Sequence, residues 1–326
     1  MMDYMQYFML TFIVTCVAIF LLLKTRLVNI ALDRPNARSL HNNVIPRTGG
    51  LGIMLGVLTV WMLMAQMWIW LVLPLLLVIV SLIDDVRELT VSWRLLAQLL
   101  VCSIFVWITA TDFAWWAMFL VVLALTWMVN LYNFMDGSDG LAGGMTLFGF
   151  GAYGIAAFLS NDMNFSLMSG CIVTAAFAFL LFNFHPARIF MGDAGSVPLG
   201  FLAGAMGLYG WQHDLWQAWF PVVVFSPFIV DATVTLLKRL VHRERLWEAH
   251  RSHFYQRLVQ MGWGHRKTAI AEYVLMFLVG ASALLLLKSS TSLILIGLLF
   301  WLFLYLIIMW MIDKRWLKLQ HLEGSF

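Results

Sequence analysis

Charged side chains are scarce in this sequence, since Asp, Glu, Lys and Arg make up 11% of its 326 residues whereas 62% are hydrophobic. Soluble domains carry roughly 25% charged residues, so the composition excludes an ordinary water-soluble surface. Apolar runs of about 17–25 residues, long enough to cross a bilayer as helices, recur along the chain. Backbone polar groups in hydrocarbon need internal partners, which makes helices the expected form.

Cysteine is also rare. Cys16, Cys102 and Cys171 all lie inside apolar runs and show neither disulfide nor metal-site spacing, so we interpret them as small core hydrophobes. P-loop and kinase motifs are missing, so if the protein uses a soluble donor substrate, that donor need not be ATP. A clear internal repeat of the kind found in many transporters is missing as well.

The apolar runs predict an all-α polytopic membrane protein, in which residues 1–326 form one transmembrane domain of about eleven helices. Asp3 precedes the first run and Lys24 follows it, the reverse of a cleavable signal peptide, so we expect a retained anchor. The predicted helices cover about 5–23, 49–66, 67–83, 94–110, 114–131, 140–159, 165–182, 196–211, 216–237, 268–287 and 291–312.

The distribution of basic residues predicts the orientation of these helices. If the N-terminus is periplasmic and the C-terminus cytoplasmic, 19 of the 20 Lys and Arg residues fall on inside segments, and only Lys288 falls outside. That asymmetry agrees with the positive-inside rule. The inside segments that carry candidate active-site residues are about 24–48, 84–94, 132–139, 183–195 and 238–267.

Five polar clusters interrupt the apolar pattern, and each falls on a predicted inside segment. They read RSLH with PRTGG (38–41 and 46–50), DD (84–85), NLYNFMDGSDGLAGG (130–144), NFHPARIFMGDAGS (183–196) and a basic stretch containing HRSHF (250–254).

The first acidic cluster is Asp84 with Asp85, at the end of an apolar run. Adjacent carboxylates repel each other, and a divalent cation removes that repulsion. Mg²⁺ favours oxygen ligands, typically one or two carboxylates with phosphates and water. A simple helix end is the alternative, although an acidic pair there opposes the helix dipole.

Two further acidic clusters are rich in glycine. Asp136 and Asp139 are three residues apart, so a helical turn would put them on one face, and Lys and Arg are missing nearby. Asp193 lies in the loop MGDAGS at a predicted helix start. A polar turn and a helix cap are the respective alternatives. Taken with Asp84 and Asp85 on the same side, these residues indicate one site for a metal or a hydrogen-bonding substrate.

The last cluster is basic. His250 and His253 lie beside Arg251 in a segment that also contains Arg243, Arg245 and Arg257. This composition favours phosphate binding. A zinc pair would need further ligands, and attraction to anionic lipid stays open as a generic alternative.

Two carboxylates lie within predicted spans. Asp231 is a functional candidate because an intramembrane carboxylate is costly, but it could instead form a structural ion pair with an arginine. Glu272 is similar but lies close to the predicted membrane interface, and no role is assigned to it.

Acids in three loops and bases in two others at one surface predict phosphoryl transfer, with a metal holding a pyrophosphate. A membrane location indicates a lipid as one substrate. Two other classes stay open. One is a secondary transporter of an anionic substrate, which would place ionisable residues near the midplane. The other is a lipid phosphotransferase of the CDP-alcohol type, whose Ala-Arg element is missing here.

From about Arg38 to Gly264 the chain resembles the polyprenyl-phosphate N-acetylhexosamine-1-phosphate transferases. That family includes undecaprenyl-phosphate GlcNAc-1-phosphate transferases and the phospho-MurNAc-pentapeptide translocase. The resemblance rests on RSLHNNVIPRTGG, LIDD, NLYNFMDGSDGLAGG, FMGDAGS and HRSHF. RSLHNNVIPRTGG is more similar to the O-antigen branch than to the translocase, whose loop usually carries a lysine. The His-x-His-His loop of that branch is altered, with Ser252 at one His position.

The resemblance implies transfer of HexNAc-1-phosphate from a UDP-HexNAc, carrying GlcNAc or a 6-deoxy sugar such as FucNAc, to undecaprenyl phosphate with release of UMP. It implies Mg²⁺ as cofactor, with Mn²⁺ as a substitute. It places the enzyme in the bacterial inner membrane, in contact with membrane lipid, with the active site facing the cytoplasm. There it would start O-antigen, lipopolysaccharide or other cell-envelope polysaccharide synthesis. A homodimer is compatible with the family, and nucleic acid is not expected as a partner. Phospho-MurNAc-pentapeptide transfer is the alternative activity.

The resemblance also implies roles for the acids. Asp84 would be the general base on the lipid phosphate or a nucleophile, Asp85 would assist, and both would ligate the metal with Asp193. Since a phosphate monoester has a second pKa of about 6 and is largely ionised at neutral pH, we favour direct attack by the lipid phosphate. The expected substrate-binding residues are Asn133, Asp136, Asp139, His250, His253, Arg38, His41, Arg47 and Arg251.

Overall fold

The computed structural model describes residues 3–25, 31–33, 44–87, 89–245 and 250–323. Within these ranges the chain is mostly helical, with α1 at Tyr4–Lys24, α2 at Gly49–Leu63, α3 at Trp68–Arg87, α4 at Val91–Thr109, α5 at Trp115–Phe134, α6 at Leu141–Leu159, α7 at Met163–Asn183, α8 at Asp193–Gln212, α9 at Trp219–Val224, α10 at Ser226–Val241, α11 at Phe254–Leu258, α12 at Gly264–Leu286 and α13 at Thr291–Glu323.

In the described part of the chain, eight helices are long and apolar enough to cross a membrane. The protein is therefore a multi-pass, predominantly helical membrane protein. The predicted count of eleven spans and the predicted sidedness stay predictions. Local caps fix some helix starts: Asp3 accepts a hydrogen bond from the Tyr4 amide (2.7 Å), and Asp162 accepts one from the Phe165 amide (2.9 Å).

Two sequence-based expectations need correction. The predicted helix at 216–237 is divided into α9 and α10, with Phe225 between them. α13 continues to Glu323 rather than ending near 312. The chain is predominantly helical, as the all-α class predicts, and a small antiparallel pair joins β1 (Leu32–Asp33) to β2 (Ile45–Pro46).

Helix α8 lies at the centre of the bundle, and most of its residues are buried. It packs against α2, α3, α5 and α6. Close approach requires small residues on α8: a Cβ built at Gly200 would lie 2.8 Å from Tyr132 Cβ and 2.9 Å from the Met128 carbonyl oxygen. The N-terminus of α8 is thereby held between α2, α3 and α5, whose ends carry several of the predicted site residues.

The segment before α2 is joined to the segment before α8 by backbone hydrogen bonds. The Phe190 amide donates to the Pro46 carbonyl (2.7 Å), and the Gly49 amide donates to the Phe190 carbonyl (2.9 Å). Gly192 has φ of +70°, and a Cβ there would lie 2.1 Å from the Arg47 carbonyl oxygen. This pairing brings the PRTGG and FMGDAGS motifs together.

Candidate active site

Three acidic residues and two arginines line a cavity of about 270 Å³ at the end of α3. Arg47 Nη2 donates to Asp85 Oδ1 at 2.9 Å. Arg94 Nη1 donates to Asp84 Oδ2 at 3.2 Å and lies 3.7 Å from Asp193 Oδ2. The Asp84–Asp85 cluster and the Asp193 cluster therefore share one site, and the guanidinium of Arg94 lies between Asp84 and Asp193.

The oxygens of the aspartate pair have unequal surroundings. Asp84 Oδ1 accepts a hydrogen bond from the Leu89 amide at 2.8 Å. Asp85 Oδ2 is buried, and no hydrogen-bond donor among the described residues reaches it. Such an oxygen is costly to bury unless a cation or donor joins it. It is the oxygen of this cavity that most needs a ligand.

The donor set is compatible with a hard divalent cation. All the acids that line this 270 Å³ cavity, called the smaller cavity below, offer carboxylate oxygen, which Mg²⁺ prefers. In the part of the chain that the structure describes, no three His, Cys, Asp or Glu side chains are arranged to hold a metal by themselves. Mg²⁺ commonly binds through one or two carboxylates with substrate phosphates and water, so an incomplete protein ligand set fits this ion.

The second acidic cluster contacts the loop before α8. The Gly192 amide donates to Asp136 Oδ2 at 3.2 Å, and Ser196 Oγ donates to Asn133 Oδ1 at 3.1 Å. Burial, and next the nearby Asp193 carboxylate, raise the pKa of Asp136 well above its usual range. A cation bound beside Asp136 and Asp193 would relieve the repulsion between these two carboxylates.

A larger cavity of about 390 Å³ adjoins the first and shares Asp84, Arg94 and Asp193 with it. One part of its wall is apolar and the rest is polar, so it suits an amphipathic molecule. The apolar lining consists of Leu77, Val80, Val91, Leu95, Ala97, Phe134, Val197 and Leu236. The other polar lining residues are Ser81, Gln98, Asn130, Asn133, His250, His253 and Gln256.

The two histidines of the HRSHF motif stack on each other at this cavity, with ring centroids 4.9 Å apart. His253 Nδ1 lies 3.1 Å from Asp231 Oδ1. Asp231 is buried, and among the described residues it pairs with His253 rather than with the arginine that we considered as an alternative. Burial, and next His253, lower the pKa of His250 to about 4.

Asp139 occupies a different environment from Asp136. Residues 135–140 form a turn between α5 and α6, so the two acids do not share a helix face as the spacing suggested. Asp139 Oδ2 lies 2.7 Å from His185 Nδ1 and accepts the Ala187 amide at 3.1 Å. Its role in substrate binding stays a prediction.

The remaining predicted substrate contacts are arginines and one histidine. Arg47 lines the smaller cavity. Arg251 is exposed and lines neither of these two cavities, and its carbonyl accepts a hydrogen bond from Gln260. Arg38 and His41 lie outside the described residues.

Sequence reasoning missed Arg94, which contacts the predicted catalytic acid Asp84 and the predicted metal ligand Asp193. A signal was present. Arg94 lies in the first turn of α4, where the helix dipole disfavours a cation unless an anion is nearby. Gln98 was also missed. It accepts a hydrogen bond from Asn130 Nδ2 at 2.7 Å and lines the larger cavity, although its position within an apolar run gave little indication of this.

Comparison with known proteins identifies similar chains. The model of glycosyl transferase family 4 matches residues 67–210. A probable undecaprenyl-phosphate N-acetylglucosaminyl 1-phosphate transferase of Bacillus subtilis is 28% identical over 281 residues, which cover 80% of this chain and 78% of that protein. A phospho-N-acetylmuramoyl-pentapeptide-transferase of Halalkalibacterium halodurans is 30% identical over 232 residues, covering 61% and 70%. An undecaprenyl-phosphate alpha-N-acetylglucosaminyl 1-phosphate transferase of Yersinia pestis is 26% identical over 264 residues, covering 73% and 72%.

Proposed function

Since the chain belongs to glycosyl transferase family 4, we propose that it transfers HexNAc-1-phosphate from a UDP-HexNAc to undecaprenyl phosphate and releases UMP. Two of the relatives are named for this acceptor and for N-acetylglucosamine. The observation that carries the proposal is the convergence of Asp84, Asp85 and Asp193 with Arg47 and Arg94 around one cavity. Phosphoryl transfer depends mainly on positioning and charge stabilisation, which such a set can provide.

The two adjoining cavities suit the two substrates. The larger one has an apolar wall for the first part of a polyprenyl chain and a polar end with Asp84, Arg94 and Asp193. The smaller one is lined almost entirely by charged residues, which suits a diphosphate held through a cation. The shared residues would bring the lipid phosphate and the donor diphosphate together.

We further propose Mg²⁺ as the cofactor, with Mn²⁺ as a substitute. Asp85 Oδ2 and Asp193 are the best candidates to hold it, with Asp84 beside them. When bound, the ion would supply positive charge that neutralises the diphosphate and the departing UMP. Arg47 and Arg94 would add fixed positive charge from the protein itself.

The reaction is a single displacement at the β-phosphorus of the UDP-sugar. An oxygen of the lipid phosphate forms the new P–O bond, the bond to the bridging oxygen breaks, and UMP leaves with that electron pair. At neutral pH the lipid phosphate is mostly doubly ionised, so the step needs no strong base. Asp84, which accepts hydrogen bonds from the Leu89 amide and Arg94, would orient the attacking phosphate and accept its residual proton.

The natural donor is proposed to carry GlcNAc or a 6-deoxy-HexNAc such as FucNAc. The product would start O-antigen, lipopolysaccharide or another cell-envelope polysaccharide. The basic residues of the predicted inside segments support an active site on the cytoplasmic face of the inner membrane.

A donor panel tests the proposal. Purified protein in detergent or nanodiscs is given undecaprenyl phosphate with UDP-GlcNAc, UDP-FucNAc, UDP-QuiNAc or UDP-GalNAc, and UMP release is measured with Mg²⁺ and with excess EDTA. We expect Mg²⁺-dependent UMP release, with radiolabel from the sugar appearing in the lipid fraction. Absence of UMP release with every donor would contradict the proposal, and so would label that crosses the bilayer unchanged.

Phospho-MurNAc-pentapeptide transfer is a second candidate because one relative, at 30% identity, carries that name. UDP-MurNAc-pentapeptide is therefore added to the panel. The chain has no lysine between Arg26 and Gly49, where the translocase usually carries one. We therefore expect UDP-MurNAc-pentapeptide to be a poor donor. Faster turnover with it than with any UDP-HexNAc would favour the second candidate.

A further inference from the structure

A buried carboxylate lies behind the histidine pair. Asp231, on α10, is 6% exposed and accepts four hydrogen bonds. The donors to Oδ1 are His253 Nδ1 (3.1 Å), the Phe254 amide (3.0 Å) and Thr235 Oγ1 (3.1 Å), and the donor to Oδ2 is the Tyr255 amide (2.9 Å). Asp231 therefore fixes both the start of α11 and one nitrogen of His253.

The ring of His253 has little freedom to turn. It is 3% exposed and stacks with two other rings, Phe134 at a centroid distance of 6.4 Å and His250 at 4.9 Å. Because Nδ1 is engaged with Asp231, Nε2 is the ring nitrogen left for a ligand. His253 lines the larger cavity, so a ligand bound there is the candidate partner of Nε2.

His250 is held in a different way. The Ser252 amide lies 3.4 Å from His250 Nδ1, and Ser252 Oγ lies 2.8 Å from it. A backbone N–H can only donate, so His250 Nδ1 is an acceptor and carries no proton. By contrast, a carboxylate opposite Nδ1 of His253 favours a proton on that nitrogen. The two histidines are thus chemically distinct, although the motif places them only three residues apart.

We propose that Asp231 is a positioning residue that orients His253, and that His253 acts there as an imidazolium, with Nδ1–H donated to Asp231 and Nε2–H donated to a phosphate oxygen of the lipid acceptor in the larger cavity. The ligand class is a phosphate monoester with a long apolar chain, which matches the mixed lining of that cavity. The inference rests on the proposed function, since undecaprenyl phosphate is the acceptor. It gives a specific role to a buried acid that the sequence marked as a functional candidate.

Two replacements of His253 separate the ring nitrogen from the anchoring of the loop. His253→Asn keeps an amide donor near the Nδ1 position but cannot reach the Nε2 position, whereas His253→Gln extends an amide towards it. We expect H253N to lower kcat/KM roughly 100-fold, the scale of a misplaced catalytic contact, and H253Q to recover part of that loss. The KM for undecaprenyl phosphate should rise more than the KM for the UDP-sugar.

A double-mutant cycle then tests Asp231. If Asp231 acts through His253, D231N lowers kcat/KM in the wild-type background but has little further effect in the H253N background. Thr235→Val is the matched control, because it removes one hydrogen bond to Asp231 without touching the histidine, and we expect unchanged activity. If D231N does not fold, the comparison of H253N with H253Q still tests the Nε2 contact, and D231E, which keeps the carboxylate, takes the place of D231N in the cycle.

The outcomes separate this inference from the proposed function. A wild-type protein that releases no UMP with any UDP-HexNAc overturns both. A wild-type protein that is active while H253N matches it, or H253Q that recovers nothing, overturns the positioning role alone. Losses from D231N and H253N that multiply fully would assign Asp231 to backbone support of α11 and would also overturn it.

Discussion

Replacing Arg94 by Gln should lower both the Mg²⁺ concentration needed for half-maximal activity and the maximal rate. Arg94 Nη1 lies 3.2 Å from Asp84 and 3.7 Å from Asp193, and its side chain is 37% exposed. At that exposure a water-like dielectric is appropriate, and each contact is worth about 1 kcal/mol. The guanidinium of Arg94 therefore weakens Mg²⁺ binding to these two acids by about 2 kcal/mol, which is roughly a 30-fold change in the binding constant.

The assay is UMP release against Mg²⁺ concentration, at saturating substrates and constant ionic strength. For R94Q we expect a half-activating Mg²⁺ concentration well below that of the wild type, together with a lower maximal rate because the diphosphate loses a fixed cation. Arg315→Gln is the control, since Arg315 is an exposed cation on α13, away from both cavities. An unchanged or higher Mg²⁺ requirement in R94Q would refute the reasoning.

Three further predictions concern the histidine loop. The pKa of His250 is about 4 in the folded protein, against about 6.5 in the unfolded chain, so stability is lost as pH falls from 6.5 towards 4. His250→Gln should reduce the drop in Tm between pH 7 and pH 5, and an equal drop in both proteins would contradict this. Asp313 Oδ1 accepts a hydrogen bond from Arg257 Nη1 at 2.7 Å, so D313N should cost about 1 kcal/mol of unfolding free energy and speed amide exchange over 250–257. An unchanged rate of amide exchange over 250–257 would contradict a stabilising role for the Arg257–Asp313 hydrogen bond. Ser252→Ala should lower kcat/KM less than His253→Asn, and the reverse order would show that the contacts of the loop are wrongly assigned.

Much of the helical architecture follows from the apolar runs, because hydrocarbon leaves the backbone few alternatives. The prediction at 165–182 matches α7 at Met163–Asn183 closely. The break between α9 and α10 was not predicted from the apolar run alone, although Pro227 at the start of α10 is a residue type that typically begins a helix. The structure places Phe225 at that break, with its ring centroid 5.4 Å from Tyr153 and 5.8 Å from Phe150. Contacts between distant parts of the chain accompany the break, and apolar periodicity does not encode them.

The acidic site was predictable to a similar degree. Asp84 and Asp193 stood out because they are acidic residues at the ends of apolar runs, and placing them on one side predicted their proximity. Which partner each side chain takes was not predictable. Asp136 and Asp139 seemed equivalent from their spacing, but the turn directs one to the Gly192 amide and the other to His185. That choice depends on the loop before α8, which is brought there by the packing of α8.

Transfer of radiolabelled sugar phosphate from UDP-HexNAc to undecaprenyl phosphate by Asp→Asn variants is the most direct test of the central claim, that acids from three separate loops form one phosphotransfer site. The variants are D84N, D136N and D193N, each checked for membrane insertion and a monodisperse elution profile. We predict that the wild type labels the lipid and that each variant, although inserted, does not do so measurably. Wild-type labelling by all three variants would contradict the account.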